Sequence, residues 1–196
     1  LKNPFDKYLL WEWHRLLKKG TVDDEIDNIG KWKKYENRLS KTDLKLCEPH
    51  LVENNIFNLI EDWNESKKDI YAIAEFHQRF EHIHPFQDGN GRMSRALTTL
   101  LLLQNGYLYV PYSSMESIIE ENKASYYQAL RNSQKTFKTS DIRYDYWLNF
   151  FLRTVQKQVR RLKQKMSQTA TGLGLTESKI ISLFDSKNQW TTQEIA

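Results

Sequence analysis

Along the first two thirds of the chain, apolar residues recur every three or four positions rather than every second, a period that predicts helices. Tyr8, Leu9, Trp13, Leu16 and Leu17 form one stripe, and Gly20 is placed to end that helix after Lys18 and Lys19. Val52, Ile56, Leu59, Ile60 and Trp63 predict a second helix over 51–63. Ile70, Ile73, Ala74, His77 and Phe80 predict a third over 69–80. Pro85 breaks the pattern and Gly89 and Gly91 open a tight loop. Met93, Ala96, Leu97, Leu100 and Leu101 then mark an amphipathic helix that Gly106 can close. Helical spacing returns over 117–131 through Ile118, Ile119, Tyr126, Tyr127 and Leu130. From Leu148 through Leu152, Val155, Val159, Leu162 and Met166 it becomes a narrow seam, read as packing against the domain before a helix-pairing or dimer seam. The irregular stretch 31–49 suits a short hairpin around Leu39 and Asp43 to Leu46. The fold class is therefore all-α.

The C-terminal stretch reads differently. Ile180, Ile181, Leu183 and Phe184 suggest a short helix, and Thr191-Thr192-Gln193-Glu194 is a capping box that starts another. We expect residues 1–168 to form the main domain and 169–196 a linker and the start of a truncated, winged-helix-like module, with DNA as its partner. At 196 residues, 39% of them hydrophobic, the chain can bury one sizeable core. Its longest aliphatic run, Leu100–Leu103, is far below the ~20 residues of a membrane helix. No membrane partner is expected. A single cysteine, Cys47, and the absence of an apolar leader pattern suit the cytoplasm. The 29 Lys and Arg against 25 Asp and Glu give only +4, too little for a dedicated nucleic-acid binder, so Lys157, Arg160, Arg161, Lys163 and Lys165 are read as a solvated face.

The densest chemistry lies in His84-Pro85-Phe86-Gln87-Asp88-Gly89-Asn90-Gly91-Arg92-Met93-Ser94-Arg95. Gly89 and Gly91 permit close backbone approach, and the loop feeds a helix whose first amides and positive dipole end make an anion site. Asn90 is expected to act as its N-cap. Arg92 and Arg95, three apart, share one face and suit phosphate oxygens. Asp88 makes sense amid that positive potential if it holds Mg²⁺ bridging two phosphates, which implies a nucleotide. His84, at the mouth of the loop, can take a proton from a hydroxyl near neutral pH. Each residue alone is ordinary; all of them within twelve positions are not.

The string resembles the Fic family motif, His-x-Phe-x-(Asp/Glu)-Gly-Asn-Gly-Arg-x-x-Arg, which His84, Phe86, Asp88, Gly89, Asn90, Gly91, Arg92 and Arg95 match throughout. The resemblance extends roughly from Leu9 to Phe151, including Gly30-Lys31-Trp32 and Tyr126-Tyr127-Gln128-Ala129-Leu130. It implies a helical bundle with a small β-hairpin flap over the active site, near Lys41 to Lys45. It also implies transfer of AMP from ATP to a Tyr, Thr or Ser hydroxyl of a protein, presented as an extended segment. On this resemblance His84 is the base, and Asp88 holds Mg²⁺ on the α- and β-phosphates. Gly89, Asn90 and Gly91 cradle the phosphates, Arg92 binds the γ-phosphate, Arg95 the β/γ region, and Phe86 anchors the loop. Met93 and Ser94 complete the nucleotide-binding run, and Tyr126 falls on the adenine side, with Gln134 where an Asn is expected.

Other readings stay open at this point. The same fold can transfer UMP, phosphocholine or phosphate, though phosphate-transferring relatives depart from Gly-Asn-Gly. The core could instead sense nucleotide for a DNA-associated regulator. His77, His82 and His84 could form a metal site, but lack the His-Glu-x-x-His spacing of zinc hydrolases. Ser117-Ile118-Ile119-Glu120-Glu121-Asn122 fits the inhibitory Ser/Thr-x-x-x-Glu-Gly/Asn pattern of relatives, but its place inside the core argues for coincidence. An inhibitory element is then expected on another helix or on a separate antitoxin partner.

Overall fold

A computed structural model describes residues 5–19, 28–37, 45–138 and 142–172, with side chains through 168. Seven α-helices are described: α1 (Lys7–Lys18), α2 (Val52–Glu65), α3 (Ile70–Ile83), α4 (Asn90–Gln104), α5 (Met115–Glu121), α6 (Lys123–Gln134) and α7 (Asp145–Gly172). Short 3-10 turns sit at Pro49–Leu51, Val110–Tyr112 and Lys135–Lys138. No strand occurs among the described residues. Most of the expected hairpin, and residues 173–196 of the expected second module, lie outside them. α7 itself continues through residue 168 to Gly172.

The order of the helices follows from their faces. α3 and α4 pack as a central pair; α2, α6 and α7 also lie against α3, α1 and α5 lie against α4, and α6 packs on α7. Val52, Ile56, Leu59 and Trp63 turn inward from α2, and Ile73, Ala74, Phe76, Phe80 and Ile83 from α3, as the period predicts. Asp69 caps α3 by accepting from the amides of Tyr71 and Ala72, each at 3.0 Å. Met93, Leu97, Leu101 and Leu102 bury the inner face of α4. Gly106, at φ +87°, turns the chain away after its end.

Three expectations need correction. The buried face of α1 is Leu10, His14 and Lys18, while Tyr8 and Leu16 are exposed, because this helix turns polar groups toward the central loop. The helical stretch 117–131 is broken at Asn122, whose side-chain amide donates to the Ile118 carbonyl at 2.7 Å and so competes with the backbone ladder. The inward face of α7 is centred on Trp147, Phe151, Thr154, Val155 and Gln158, leaving Leu148 and Leu152 at its edge and Met166 exposed. The aromatic members pull the helix around, since each buries more area than a leucine.

Under the central pair lies a buried polar seam. His77 Nδ1 pairs with Thr98 Oγ1 at 2.7 Å, and Nε2 with the Tyr126 hydroxyl at 3.0 Å. Trp147 stacks on the same imidazole with centroids 4.6 Å apart, and its indole N–H donates to the Ala74 carbonyl at 2.6 Å. His77 is thus spent on packing α3 to α4, α6 and α7 rather than on a metal. Burial depresses its pKa to about 3, well below the ordinary 6.5. A folded pKa below the unfolded one means the unfolded chain binds the extra proton. The contribution of this residue is therefore full above pH 6.5 and drains away as pH falls toward 3. Urea denaturation across that range should show a shallower fall for His77→Gln; equal slopes in the two proteins would refute the assignment.

Candidate active site

α3 does not end in a glycine. His84 takes the left-handed cap position, φ +50° and ψ 60°, and its amide donates to the Phe80 carbonyl at 2.9 Å. Histidine tolerates this region better than a branched residue does. The turn carries the chain to Phe86, whose fully buried ring stacks on His14 with centroids 3.9 Å apart and meets Trp32 at 5.3 Å. Four residues on, the Asn90 side chain accepts from the Phe86 amide at 2.9 Å and donates to its carbonyl at 2.7 Å. Asn90 is therefore not the N-cap. Gly89 holds that place at φ +81°, while Asn90, inside the first turn, is the clasp that closes the loop.

Two further segments hold the loop from outside. His14 Nδ1 accepts from the Gly30 amide at 2.9 Å, which fixes the proton on Nε2, and Nε2 donates to the Asp88 carbonyl at 3.0 Å. Burial, first among the causes, holds His14 below its usual pKa and keeps this neutral tautomer. The Asn37 side chain donates to the carbonyls of Phe86 (3.1 Å) and Gln87 (2.9 Å). Lys33, buried, donates its ammonium to the Ile83 carbonyl at 3.2 Å, and its amide donates to the Pro85 carbonyl at 2.8 Å. Burial lowers the Lys33 pKa to about 8.

The loop forms one wall of an open cleft of about 1410 Å³ whose opposite wall is α6. His84, Asp88, Gly89, Asn90, Gly91, Arg92, Arg95 and Tyr126 all line it, so the sequence-predicted set is brought together apart from two members. Met93 and Ser94 do not line it, because the helical turn sends Met93 into the core and Ser94 down to the buried Glu81 carboxylate and the Gly91 carbonyl. Tyr126 is only 1% exposed, and its hydroxyl points inward to His77 and, at 3.4 Å, to Glu81. The more exposed Tyr127 and the buried Gln134 line the same wall.

Charge in the cleft is sharply ordered. The His84 Nδ1 donates to the Glu81 carbonyl at 3.1 Å, which leaves Nε2 as the nitrogen available to a substrate. Burial outweighs the nearby Glu81 charge and lowers the His84 pKa, so the ring is a neutral acceptor at pH 7. Asp88 is exposed and held below the usual carboxylate range, first by the Lys18 ammonium at 2.7 Å and further by the Gly89 amide and Arg92. Arg92 is half-exposed and pairs only loosely with Asp88, at 3.5 Å. Arg95 is mostly covered and bonds the Glu116 carboxylate on α5. A Cβ on Gly91 would come within 3.0 Å of the Arg95 guanidinium, so the bare glycine lets that arginine lie across the first turn of α4.

A single carboxylate, exposed and kept ionised, fits Mg²⁺, which takes one or two carboxylates and completes its shell with phosphate oxygens and water. No cluster of three potential metal-ligating side chains exists among the described residues. Glu121, the glutamate of the inhibitory-type string, bonds Lys157 and Arg161 of α7 and takes no part in the cleft. His14, Lys18, Lys33, Asn37 and Glu81 were missed by sequence reasoning. Only Glu81 carried a local signal, standing three residues before His84 on the same helix.

The family model described as Fic/DOC matches residues 4–102. The chain belongs to the Fic/DOC family. Within that family, a probable protein adenylyltransferase of Aquifex aeolicus is 36% identical over 90 residues, 44% of this chain and 26% of its own length. A protein adenylyltransferase Fic of Aedes aegypti is 42% identical over 57 residues, 26% of this chain and 11% of its own. The crystal structure of a Fic family protein from Desulfovibrio desulfuricans superposes with a TM-score of 0.70 at 25% identity, over 82% of this chain and 47% of that one. The chain thus spans about a quarter of the Aquifex relative and about half of the solved Fic protein. The matched stretch 4–102 takes in the loop, α1, α2 and α3 and most of α4.

Gly89 is the position where Fic loop geometry is most exposed to a point change. A Cβ there would sit at positive φ, 3.3 Å from Leu17 Cδ2 and 3.4 Å from His14 Nε2. Gly89→Ala is expected to cost about 1–3 kcal/mol by denaturant titration, with the loss concentrated where α1 meets the loop. A neutral substitution would mean the loop relaxes freely.

Proposed function

We propose that this protein is an adenylyltransferase that moves AMP from ATP to a Tyr, Thr or Ser hydroxyl of a target protein and releases pyrophosphate. One observation carries the reading: a neutral imidazole with a single uncommitted nitrogen shares its cleft with a helix start flanked by Arg92 and Arg95. The adenylyltransferase names of two relatives support the same chemistry.

The steps follow from the residues. His84 Nε2 takes the proton of the target hydroxyl, whose oxygen attacks the α-phosphorus. A bond forms from that oxygen to phosphorus, and the bond from the α-phosphorus to the bridging oxygen of the leaving pyrophosphate breaks. The first amides of α4 and the guanidinium groups of Arg92 and Arg95 spread the negative charge of the triphosphate. Arg92 is free to reach the outer phosphates, since Asp88 holds it only weakly. Asp88 is the residue that would hold Mg²⁺, which, when bound, supplies further charge neutralisation across the phosphates. The wall of Tyr127 and Gln134 leaves the far end of the cleft for the nucleoside, with Tyr126 as the floor beneath it.

Intact-mass analysis of protein substrates incubated with Mg-ATP should show the gain of one adenylyl group. His84→Ala should lower the rate at least about 10²-fold and leave nucleotide binding by calorimetry near the parent value. A variant that transfers at the parent rate would overturn the role of His84. The wild-type rate should be level above pH 6.5 and fall only below it, because burial keeps the imidazole unprotonated through neutrality.

A further inference from the structure

The lining of the cleft includes a carboxyl group that the proposed chemistry does not use. Glu81, on the last turn of α3, is 7% exposed. Its Oε1 accepts from Ser94 Oγ of α4 and from the Tyr126 hydroxyl of α6, the latter at 3.4 Å. Its Oε2 faces His84 Nδ1 at 3.8 Å, and its own carbonyl takes the Nδ1 proton at 3.1 Å. One side chain therefore touches the start of α4, the floor of α6 and the imidazole. The Arg95 guanidinium lies close enough for the two charges to act on each other.

A buried carboxylate is costly unless its oxygens are bonded, and a neutral glutamine of the same shape would meet the Ser94 and Tyr126 hydroxyls equally well. The charge is thus not required by those two bonds. It falls instead on the edge of the imidazole that already carries the proton, where it stabilises the cation the ring becomes after taking a second. The other charges reaching His84 are Lys33, from the segment over 28–37, which opposes protonation, and Asp88, from the loop, which favours it. Arg95 and Tyr126 stand on the far side of Glu81. We propose that Glu81 is a positioning residue that fixes the His84 tautomer through its carbonyl and raises the ring's basicity through its carboxylate, while locking Ser94 so that Arg95 keeps its place. The catalytic part of this assignment rests on the transferase reading given above; the effect on the imidazole does not.

Side-chain NMR titration of the five histidines, with His84 assigned by its loss in His84→Ala, separates the two. In Glu81→Gln the His84 protonation constant should fall at least about threefold. In Glu81→Asp, which keeps the charge, it should return toward the parent value. In transfer assays Glu81→Gln should lower kcat and extend the level part of the pH profile to lower pH, with the nucleotide KM unchanged or reduced, because Arg95 loses a partner charge. An unchanged His84 midpoint in Glu81→Gln would overturn the proposal. So would a fall of kcat with a raised KM and a lowered Tm at unchanged midpoint, the signature of packing alone. If no transfer is found with any substrate, the titration still decides whether Glu81 governs the imidazole.

Discussion

The site depends on a pair of hydrogen bonds between the Asn90 side chain and both backbone groups of Phe86. The side-chain amide carries an acceptor oxygen and a donor nitrogen side by side, so one residue can bond both backbone groups of another. By doing so from inside the first turn of α4, it fixes the distance between the end of α3 and the start of α4. Everything functional hangs from that span: the imidazole on one end, the free amides on the other, and the Phe86 ring driven into the core between them. Buried peptide groups without partners are costly, so the clasp also removes the penalty of turning backbone inside the protein.

Around that clasp the protein arranges charge in two tiers. At the rim, Asp88 and Arg92 are exposed and loosely joined, which leaves both able to exchange partners when a polyanion arrives. Below the rim, Lys18, Lys33 and Glu81 are buried and bonded. Buried charges of this kind contribute less to stability than to a single arrangement of the groups they touch. In the proposed reaction the rim meets the polyanion, and the lower tier keeps the rim in register.

Much of this was legible in the sequence because it is local. The period of α2, α3 and α4 reports a face, and the twelve residues from His84 to Arg95 report a loop, without knowledge of anything distant. The stripe on α1 misled for a physical reason: a helix whose inner face must hold a polar loop buries His14 and Lys18 and leaves Tyr8 and Leu16 outside. Hydrophobic periodicity cannot detect a buried face made of bonded polar groups. The seam on α7 shifted because Trp147 and Phe151 dominate its burial, and the break at Asn122 came from one side chain bonding its own helix. Asn90 reads from its sequence position as a cap and acts as a clasp, since both roles draw on the same amide chemistry.

The contacts of α1 with the loop span long stretches of chain. His14 reaches Asp88 across 74 residues and Lys18 across 70. Contacts so distant in sequence carry a large loop-closure entropy, which the rest of the fold has to offset. The motif is therefore not a portable cassette: part of what holds its twelve residues in place comes from the first helix, some 70 residues upstream.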